Sequence, residues 1–149
     1  MNQATPDSAI AWLLGIRAGT IAKPPIYERL GIDILDARVG SVELAMTLSA
    51  YLQNPYGQVA GGALAALLDT TLAWACDTSC PAGHCCTTLE LKTNFLRPLS
   101  SADRRVIARG TSVFTGSRIL VAQGDIMGHD SRIHAIATTT CLVVAKQAR

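Results

Sequence analysis

The sequence predicts an α+β fold in which an antiparallel sheet of about six strands wraps around one central helix, with a short helix before it. Apolar residues make up 49% of the chain, and their period changes between that of a helix and that of a strand. The connections between the strand-like segments are too short for parallel pairing. An antiparallel sheet curled around a single helix buries that helix with the fewest residues.

The length and composition exclude several classes of protein. A chain of 149 residues fits one domain over 1–149, with an N-terminal helix and linker (1–25) and a core (30–145). The mean hydropathy of +0.28 excludes a disordered chain, and a net charge of only +2 argues against a nucleic-acid binder. The apolar stretch 59–76 contains Asp69, so we expect no membrane span.

The first half of the chain predicts one helix followed by two strands. The apolar spacing over residues 7–18 is that of a helix, and Asp7 or Ser8 is suited to cap it. The Pro-Pro pair at 24–25 prevents the helix from continuing. After Gly31 the apolar residues alternate with polar ones, which predicts two half-buried strands over 32–39 and 41–48.

The second half predicts one long helix and then strands alone. A loop over 53–57 precedes a helix from Val59 to about Asp77, with leucines at helical spacing and alanine at most other positions. Because this helix is apolar on all sides, we expect it to be buried on all sides. Proline and glycine residues divide the remainder into four strand-like segments, which are 87–96, 104–114, 118–127 and 133–145.

Basic residues concentrate in the second half of the chain. Residues 1–90 contain four Lys and Arg against eight Asp and Glu, whereas residues 91–149 contain nine against three. Ten of the thirteen basic residues are arginine, which forms forked contacts to phosphate better than lysine does. The pattern fits either a solvated sheet edge or a site for a small phosphorylated ligand.

The cysteines are clustered but do not follow the spacing of a zinc site. Four of the five cysteines, together with His84, fall within residues 76–86. Their spacing contains no paired C-x₂-C motif, so we predict no metal site and interpret them as small residues around a helix end. The odd cysteine count, and an N-terminus without the features of a secretory signal, predict a reduced, cytoplasmic protein.

Asp69 is the only charged residue between Glu43 and Asp77, and it lies in the middle of the apolar helix. An ionised carboxylate buried without a partner is costly, so this side chain must be paired, hydrated or functional. Because burial makes a carboxylate a better general base, Asp69 is the strongest candidate for a catalytic residue. The alternative is an aspartate bonded to Ser or Thr at a subunit interface.

The pair Gly61-Gly62 opens the same helix. Unpaired amide groups and the positive end of the helix dipole gather at a helix start, where they can stabilise a developing oxyanion. The alternative is close packing of a neighbouring backbone. Gly61 precedes Asp69 by eight residues, or about 12 Å along a helix, so one helix cannot bring both to one atom. Two copies related by a dimer axis can, which predicts a composite site.

Residues 54–62 read N-P-Y-G-Q-V-A-G-G and are followed by Leu67 and Asp69. This run resembles the N-x-x-G-x-x-H-G-G-x-x-x-x-L-x-D signature of hotdog-fold acyl-CoA thioesterases of the phenylacetic-acid-degradation type. Residues 88–98 are similar to the next strand of that family, which closes in an F-x-R-P-like run. The resemblance extends over about residues 30–145 and implies the hotdog fold.

The resemblance implies a role for each matching residue. Asp69 would be the general base or nucleophile, the Gly61 amide would polarise the thioester carbonyl, Asn54 would lie near the acyl carbonyl, and Thr88 would hold the attacking water. The residues expected to contact coenzyme A are Gly62, Arg97, Ser117 and Arg118. The chain departs from the family at Ala60, where the signature has His.

The function implied is hydrolysis of an acyl-CoA thioester with an aryl or medium-chain acyl group, by a homo-oligomer that is a dimer or a tetramer. No cofactor is expected, since coenzyme A is part of the substrate. One alternative is an acyl-CoA hydratase or dehydratase, which would be expected to use a histidine that the motif region lacks. The others are an acyl-CoA-binding protein without turnover and a purely structural dimer.

Overall fold

We describe residues 8–146 of the protein from a computed structural model. One sheet and one long helix make up most of the structure, and two short helices precede them. The helices are α1 (Ala9–Ala18), α2 (Pro25–Leu30) and α3 (Gly61–Asp77), and the strands are β1 (Ile32–Arg38), β2 (Ser41–Thr47), β3 (His84–Phe95), β4 (Arg105–Thr115), β5 (Ile119–Met127) and β6 (Ile133–Ala145). Single 3₁₀ turns lie at Ala50–Leu52 and Ser101–Asp103.

The six strands form one antiparallel sheet in the order β1-β2-β4-β5-β6-β3. Helix α3 packs on one face of this sheet and contacts all six strands. The core lies between them, and its largest fully buried side chains include Leu44, Met46, Leu68, Leu72 and Leu120. The predicted α+β fold, a sheet around one central helix, is therefore confirmed.

Helix α3 begins at Gly61, two residues later than predicted, and ends at Asp77 as predicted. Its buried residues lie along the face that meets the sheet, whereas Gly62 is exposed and Asp69 is half-buried. The expectation of burial on all sides is therefore wrong for a single chain, because six strands cover only one side of the helix. The residues buried against the sheet are Leu64, Leu67, Leu68, Thr71, Leu72, Ala75 and Cys76.

Two glycines let α3 approach the sheet closely. Gly110 of β4 and Gly124 of β5 are paired across the strands, directly under the helix. A Cβ at Gly110 would lie 3.0 Å from the Thr71 carbonyl oxygen, and one at Gly124 would lie 2.8 Å from Leu72 Cδ2 and 2.1 Å from the Arg109 carbonyl oxygen. A Cβ at Gly124 would overlap the β4 backbone as well as Leu72, and one at Gly110 would force the α3 backbone to shift by a few tenths of an ångström, so the close packing of helix on sheet favours glycine at both positions.

The N-terminal region contains one element that the sequence did not predict. Ser8 caps α1 by accepting a hydrogen bond from the Ala11 amide at 3.1 Å, whereas Asp7, the other cap candidate, lies outside the described residues. Helix α1 ends at Ala18 with Gly19 in the left-handed conformation, well before the Pro-Pro pair expected to stop it, and Pro25 instead begins α2 as its first residue. Proline is favoured at that position because its fixed φ suits a helix start and its missing amide hydrogen is not needed there.

The two edges of the sheet differ in their surroundings. Strand β1 contacts α1 and α2. Strand β3 begins three residues earlier than predicted, runs for 12 residues and, among the described residues, pairs with β6 alone. Within residues 8–146, no helix is both long enough and apolar enough to span a membrane.

Candidate active site

Asp69 has one hydrogen-bond partner among the described residues. Thr88, on the face of β3 that meets α3, donates from its hydroxyl to Asp69 Oδ1 at 2.9 Å. No Lys, Arg or His within residues 8–146 forms an ion pair with this carboxylate. The structure thus brings together the predicted base and the predicted water-holding hydroxyl, and leaves the second carboxylate oxygen available to another group.

The Gly61 end of α3 borders a cleft of about 440 Å³. Within residues 8–146, neither the Gly61 nor the Gly62 amide donates a hydrogen bond, as expected for the first residues of a helix. Asn54 and Arg97 also line the cleft, so three of the predicted site residues meet here. The apolar part of its lining is Val59, Leu64, Phe95, Leu96 and Leu99.

The loop before α3 is held in shape by Asn54. Its side-chain oxygen accepts hydrogen bonds from the Tyr56 amide at 2.9 Å and the Gln58 amide at 3.2 Å. These bonds fold the loop back so that the Ala60 amide can donate to the Leu52 carbonyl at 2.7 Å. Because the oxygen of Asn54 is used for the loop, its side-chain NH₂ is the part that can donate to a ligand in the cleft.

The residues predicted to contact coenzyme A are separated within one chain. Arg97 donates to the Ile133 carbonyl at 2.5 Å, at the start of β6. The Arg118 carbonyl accepts from the Val143 amide at 2.9 Å, near the end of β6. The two contacts are ten residues apart along β6, which corresponds to a distance of roughly 30 Å. Arg97 therefore cannot share one ligand phosphate with Ser117 or Arg118 of the same chain.

The predicted site residues thus form two groups, one at the Gly61 end of α3 and the Phe95 end of β3, and the other about half-way along both elements. The donor group contains Asn54, Gly61, Gly62 and Arg97, next to Phe95 at the end of β3. The acid group contains Asp69, Thr88, Ser117 and Arg118, because Thr88 is paired with Cys141, which is in turn paired with Leu120 at the start of β5. Neither group alone has both an oxyanion donor and a base.

Comparison with known proteins assigns the chain to a family. A family model described as the thioesterase superfamily matches residues 56–133, which is more than half of the chain and includes α3 and β3. The chain belongs to the thioesterase superfamily. The predictions of a hotdog-fold thioesterase and of a thioester hydrolase are therefore confirmed at the level of the family.

Solved structures of similar proteins agree with this assignment. A thioesterase from Haemophilus influenzae is 26% identical, with a TM-score of 0.78 and coverage of 89% of this chain and 90% of that one. A thioesterase family protein from Silicibacter pomeroyi is 25% identical, with a TM-score of 0.80 and coverage of 90% and 99%. A phenylacetic acid degradation-related protein from Ralstonia eutropha JMP134 is 29% identical, with a TM-score of 0.78 and coverage of 87% and 98%.

This thioesterase has Ala60 at the N-cap of α3, where the signature has His. The Ala60 carbonyl accepts from the Ala63 amide at 3.0 Å and the Leu64 amide at 3.4 Å, and no side chain caps the helix. The backbone around Gly61 is therefore positioned by main-chain bonds and does not need a side chain at position 60.

Sequence reasoning missed the residues that shape the cleft. Phe95 lies 3.1 Å from where a Cβ of Gly61 would be, and it forms part of the wall. His134, to which no role was assigned, lies within hydrogen-bonding distance of the Pro98 carbonyl and Asp130 Oδ1, both at 3.2 Å. It connects the cleft segment to the β5–β6 turn. The F-x-R-P run pointed to Phe95, but no sequence signal pointed to His134.

A cluster of thiols lies at the C-terminal end of α3, formed by Cys76, Cys80, Cys86 and Cys141. A hydrogen bond from the Cys76 thiol lowers the pKa of Cys141 most, and a second hydrogen bond from the Cys86 thiol lowers it further. The same bonds, together with burial, raise the pKa of Cys76 and Cys86. Burial is the main cause that raises the pKa of Cys80 to about 11.

Proposed function

We propose that this thioesterase hydrolyses acyl-CoA thioesters in a site formed between two copies of the chain. The observation that carries the proposal is the separation of the two groups: the unpaired Gly61 amide lies at the start of α3, and the Asp69–Thr88 pair lies about two turns further along the helix. A twofold axis that sets two such helices antiparallel would place the acid group of one chain beside the donor group of the other.

The open edge of β3 is the element expected to join the two chains. It is a long strand with exposed Leu89 and Phe95, and one of its edges pairs with no other strand within residues 8–146, which favours pairing with another strand. Two β3 strands paired antiparallel about the Leu91–Lys92 position would bring Thr88 of one chain opposite Phe95 of its partner. Phe95 adjoins Gly61 and Thr88 binds Asp69, so this register would complete two sites per dimer.

The proposed reaction uses few groups. The thioester carbonyl oxygen accepts a hydrogen bond from the Gly61 amide, helped by the Asn54 side-chain NH₂. Asp69 of the partner chain accepts a proton from a water held with Thr88, and the water oxygen attacks the carbonyl carbon. The carbon–sulfur bond then breaks, and the thiolate of coenzyme A leaves and takes up a proton. Direct attack by Asp69, through a mixed anhydride that water then cleaves, is the alternative route.

Residues of both groups would also bind coenzyme A, and the cleft beside the donor group would bind the acyl chain. Arg97 of one chain and Ser117 and Arg118 of its partner would contact the phosphates, which fits the basic second half of the sequence. The apolar wall of the cleft suits an aryl or medium-chain acyl group, and the phenylacetic acid degradation-related relative favours the aryl class. A Cβ at Gly62 would meet no described atom within 4 Å, so room for substrate or partner is left there.

The remaining parts of the proposal concern cofactor and location. No cofactor is proposed, because the reaction needs only water and the groups above. A reducing, cytoplasmic location is proposed because Cys76, Cys80, Cys85, Cys86 and Cys141 are all free thiols.

Replacing Asp69 by Asn tests the mechanism. The amide cannot accept the proton from water, so we expect kcat for a phenylacyl- or hexanoyl-CoA substrate to fall by about 10²–10⁴-fold. Release of the free thiol measures the rate, and Asp36→Asn, on β1, is the matched control with parental activity. A rate for Asp69→Asn equal to that of the control would rule out the proposed base. Binding of a CoA thioether without turnover by the parent protein would instead indicate a binding protein.

A mixing experiment tests the shared site. Gly61→Pro removes the proposed oxyanion donor at a helix position that accepts proline, and should lower kcat by about 10²–10³-fold. When Gly61→Pro and Asp69→Asn chains are unfolded together and refolded, about half of the dimers are mixed and each has one intact site of two, so about a quarter of parental activity should return. No recovery, with mixed dimers shown by mass spectrometry, would place the site within one chain.

A further inference from the structure

A compact group of metal-ligand side chains lies at the end of α3, outside the groups proposed for catalysis. Asp77 is the last residue of the helix, Cys80 follows in the next turn, and Cys86 is near the start of β3. One ligand atom from each, a carboxylate oxygen and two sulfurs, lies within 4.8 Å of the others. Side chains from a helix, a turn and a strand therefore lie close enough together to share one ion.

The three side chains are held in this arrangement by their surroundings. The Cys86 amide donates to Asp77 Oδ1 at 2.7 Å, and the Cys86 thiol donates to the Ala73 carbonyl at 3.3 Å. The Cys80 amide donates to the Asp77 carbonyl at 3.0 Å. Asp77 thus orients the β3 backbone, and the Cys80 and Cys86 thiols lie within hydrogen-bonding reach of the same carboxylate.

Burial and chemistry both favour a cation at this point. Asp77 is only partly accessible to solvent, and the charge of Lys146 also acts on its carboxylate. Two thiolates and a carboxylate are a ligand set that suits a borderline-soft divalent ion. Cys80 and Cys86 are also partly exposed, so an ion can reach them.

We propose that Asp77, Cys80 and Cys86 bind one Zn²⁺ ion per chain, with the fourth tetrahedral position open to water. Bonds of about 2.0–2.3 Å hold tetrahedral ligand atoms roughly 3.3–3.8 Å apart, so small side-chain rotations from the present arrangement suffice. The thiols of Cys76 and Cys141 lie behind Cys86 as buried neighbours. The ion would fix the start of β3 to the end of α3.

The site does not depend on the proposed reaction, and its test does not use activity. The reduced full chain is titrated with Co²⁺, which gives a thiolate-to-cobalt charge-transfer absorption and intense visible bands when its coordination is tetrahedral. We expect about one equivalent to bind and Zn²⁺ to displace it. Zn²⁺ should also raise the melting temperature, because binding to the folded state alone stabilises it.

Single substitutions assign the ligands. Cys80→Ser, Cys86→Ser and Asp77→Asn should each weaken Zn²⁺ binding by more than the about 10–100-fold that loss of an outer-shell partner costs. Cys85→Ser is the matched control, since Cys85 is the neighbour of Cys86 on β3 but is not one of the three ligands. Circular dichroism checks that each variant is folded.

Two results would overturn the proposal. One is a reduced protein that gives no charge-transfer band with Co²⁺ and no melting shift with Zn²⁺. The other is a loss of affinity in Cys85→Ser as large as in Cys80→Ser, which would assign the binding to a different set of thiols.

Discussion

The two edge strands of the sheet have opposite characters. Strand β1 has seven residues, contacts α1 and α2, and forms ion pairs through Asp33 and Asp36. Strand β3 has twelve residues and pairs with β6 alone, and none of its side chains forms an ion pair within residues 8–146. Leu89 of β3 is 57% exposed.

This difference indicates which edge of the sheet is protected within one chain and which edge is available to a second chain. Short length, a helical cover and charges are the features by which proteins protect a sheet edge, and β1 has all three. A long uncovered edge with apolar side chains favours association. The donor group and the acid group lie at different positions along β3. The less protected edge of the sheet is therefore the one that carries both groups.

The largest expected effect comes from adding a charge to the open edge. Leu89→Lys leaves the core of one chain intact but opposes strand pairing, so we expect monomers and a loss of kcat/KM of about 10²-fold or more, since each site then lacks a base or a donor. Light scattering after gel filtration and thiol release measure the two effects. Val39→Lys, an exposed apolar residue at the β1–β2 turn, is the control; equal effects of both changes would remove β3 as the interface.

A smaller effect is expected where α1 covers β1. Leu13 is fully buried in α1, and Leu13→Ala should reduce the free energy of unfolding by about 2–5 kcal/mol. Activity and oligomeric state at low temperature should be unchanged, because this edge carries no site residue. Leu14→Ala, at a position 37% exposed, should cost much less in urea unfolding. Dissociation of the oligomer by Leu13→Ala alone would show that the covered edge also takes part in assembly.

The smallest effect is expected from the charges on β1. Asp33 forms ion pairs with Lys23 and Arg105, and all three side chains are partly exposed to solvent. Asp33→Asn should therefore change the free energy of unfolding by less than about 1 kcal/mol, and less at high salt. Thermal unfolding at low and high salt tests this, and a salt-independent loss of several kcal/mol would contradict a surface role.

Part of the fold and part of the site could be predicted because their causes are local. The period of apolar residues marked α3 and all six strands to within a few residues, since each pattern reflects burial on one face. The isolation of Asp69 in the apolar helix predicts it as a site residue and the family resemblance implies Thr88, and the two side chains form a hydrogen bond. Helix α2 was missed because its six residues are too few for a period, and proline at a helix start resembles proline that ends one.

The remaining features of the fold and of the candidate sites depend on contacts between segments that are distant in the sequence. No spacing rule joins Asp77 to Cys86, because the turn after α3 and the register of β3 bring them together. The requirement for Gly110 and Gly124 comes from the path of α3 across the sheet, which no local pattern encodes.

The sequence by itself determined the class of fold, the position of the central helix and the lone carboxylate within it, because hydrophobic burial and helix geometry act over a few neighbouring residues. Only the tertiary structure decided that β3 passes both groups, with Thr88 bonded to Asp69 and Phe95 beside Gly61, and that this strand is left uncovered. The physical reason is that strand order and register are fixed by contacts between distant segments, which depend on the packing of the whole sheet against α3.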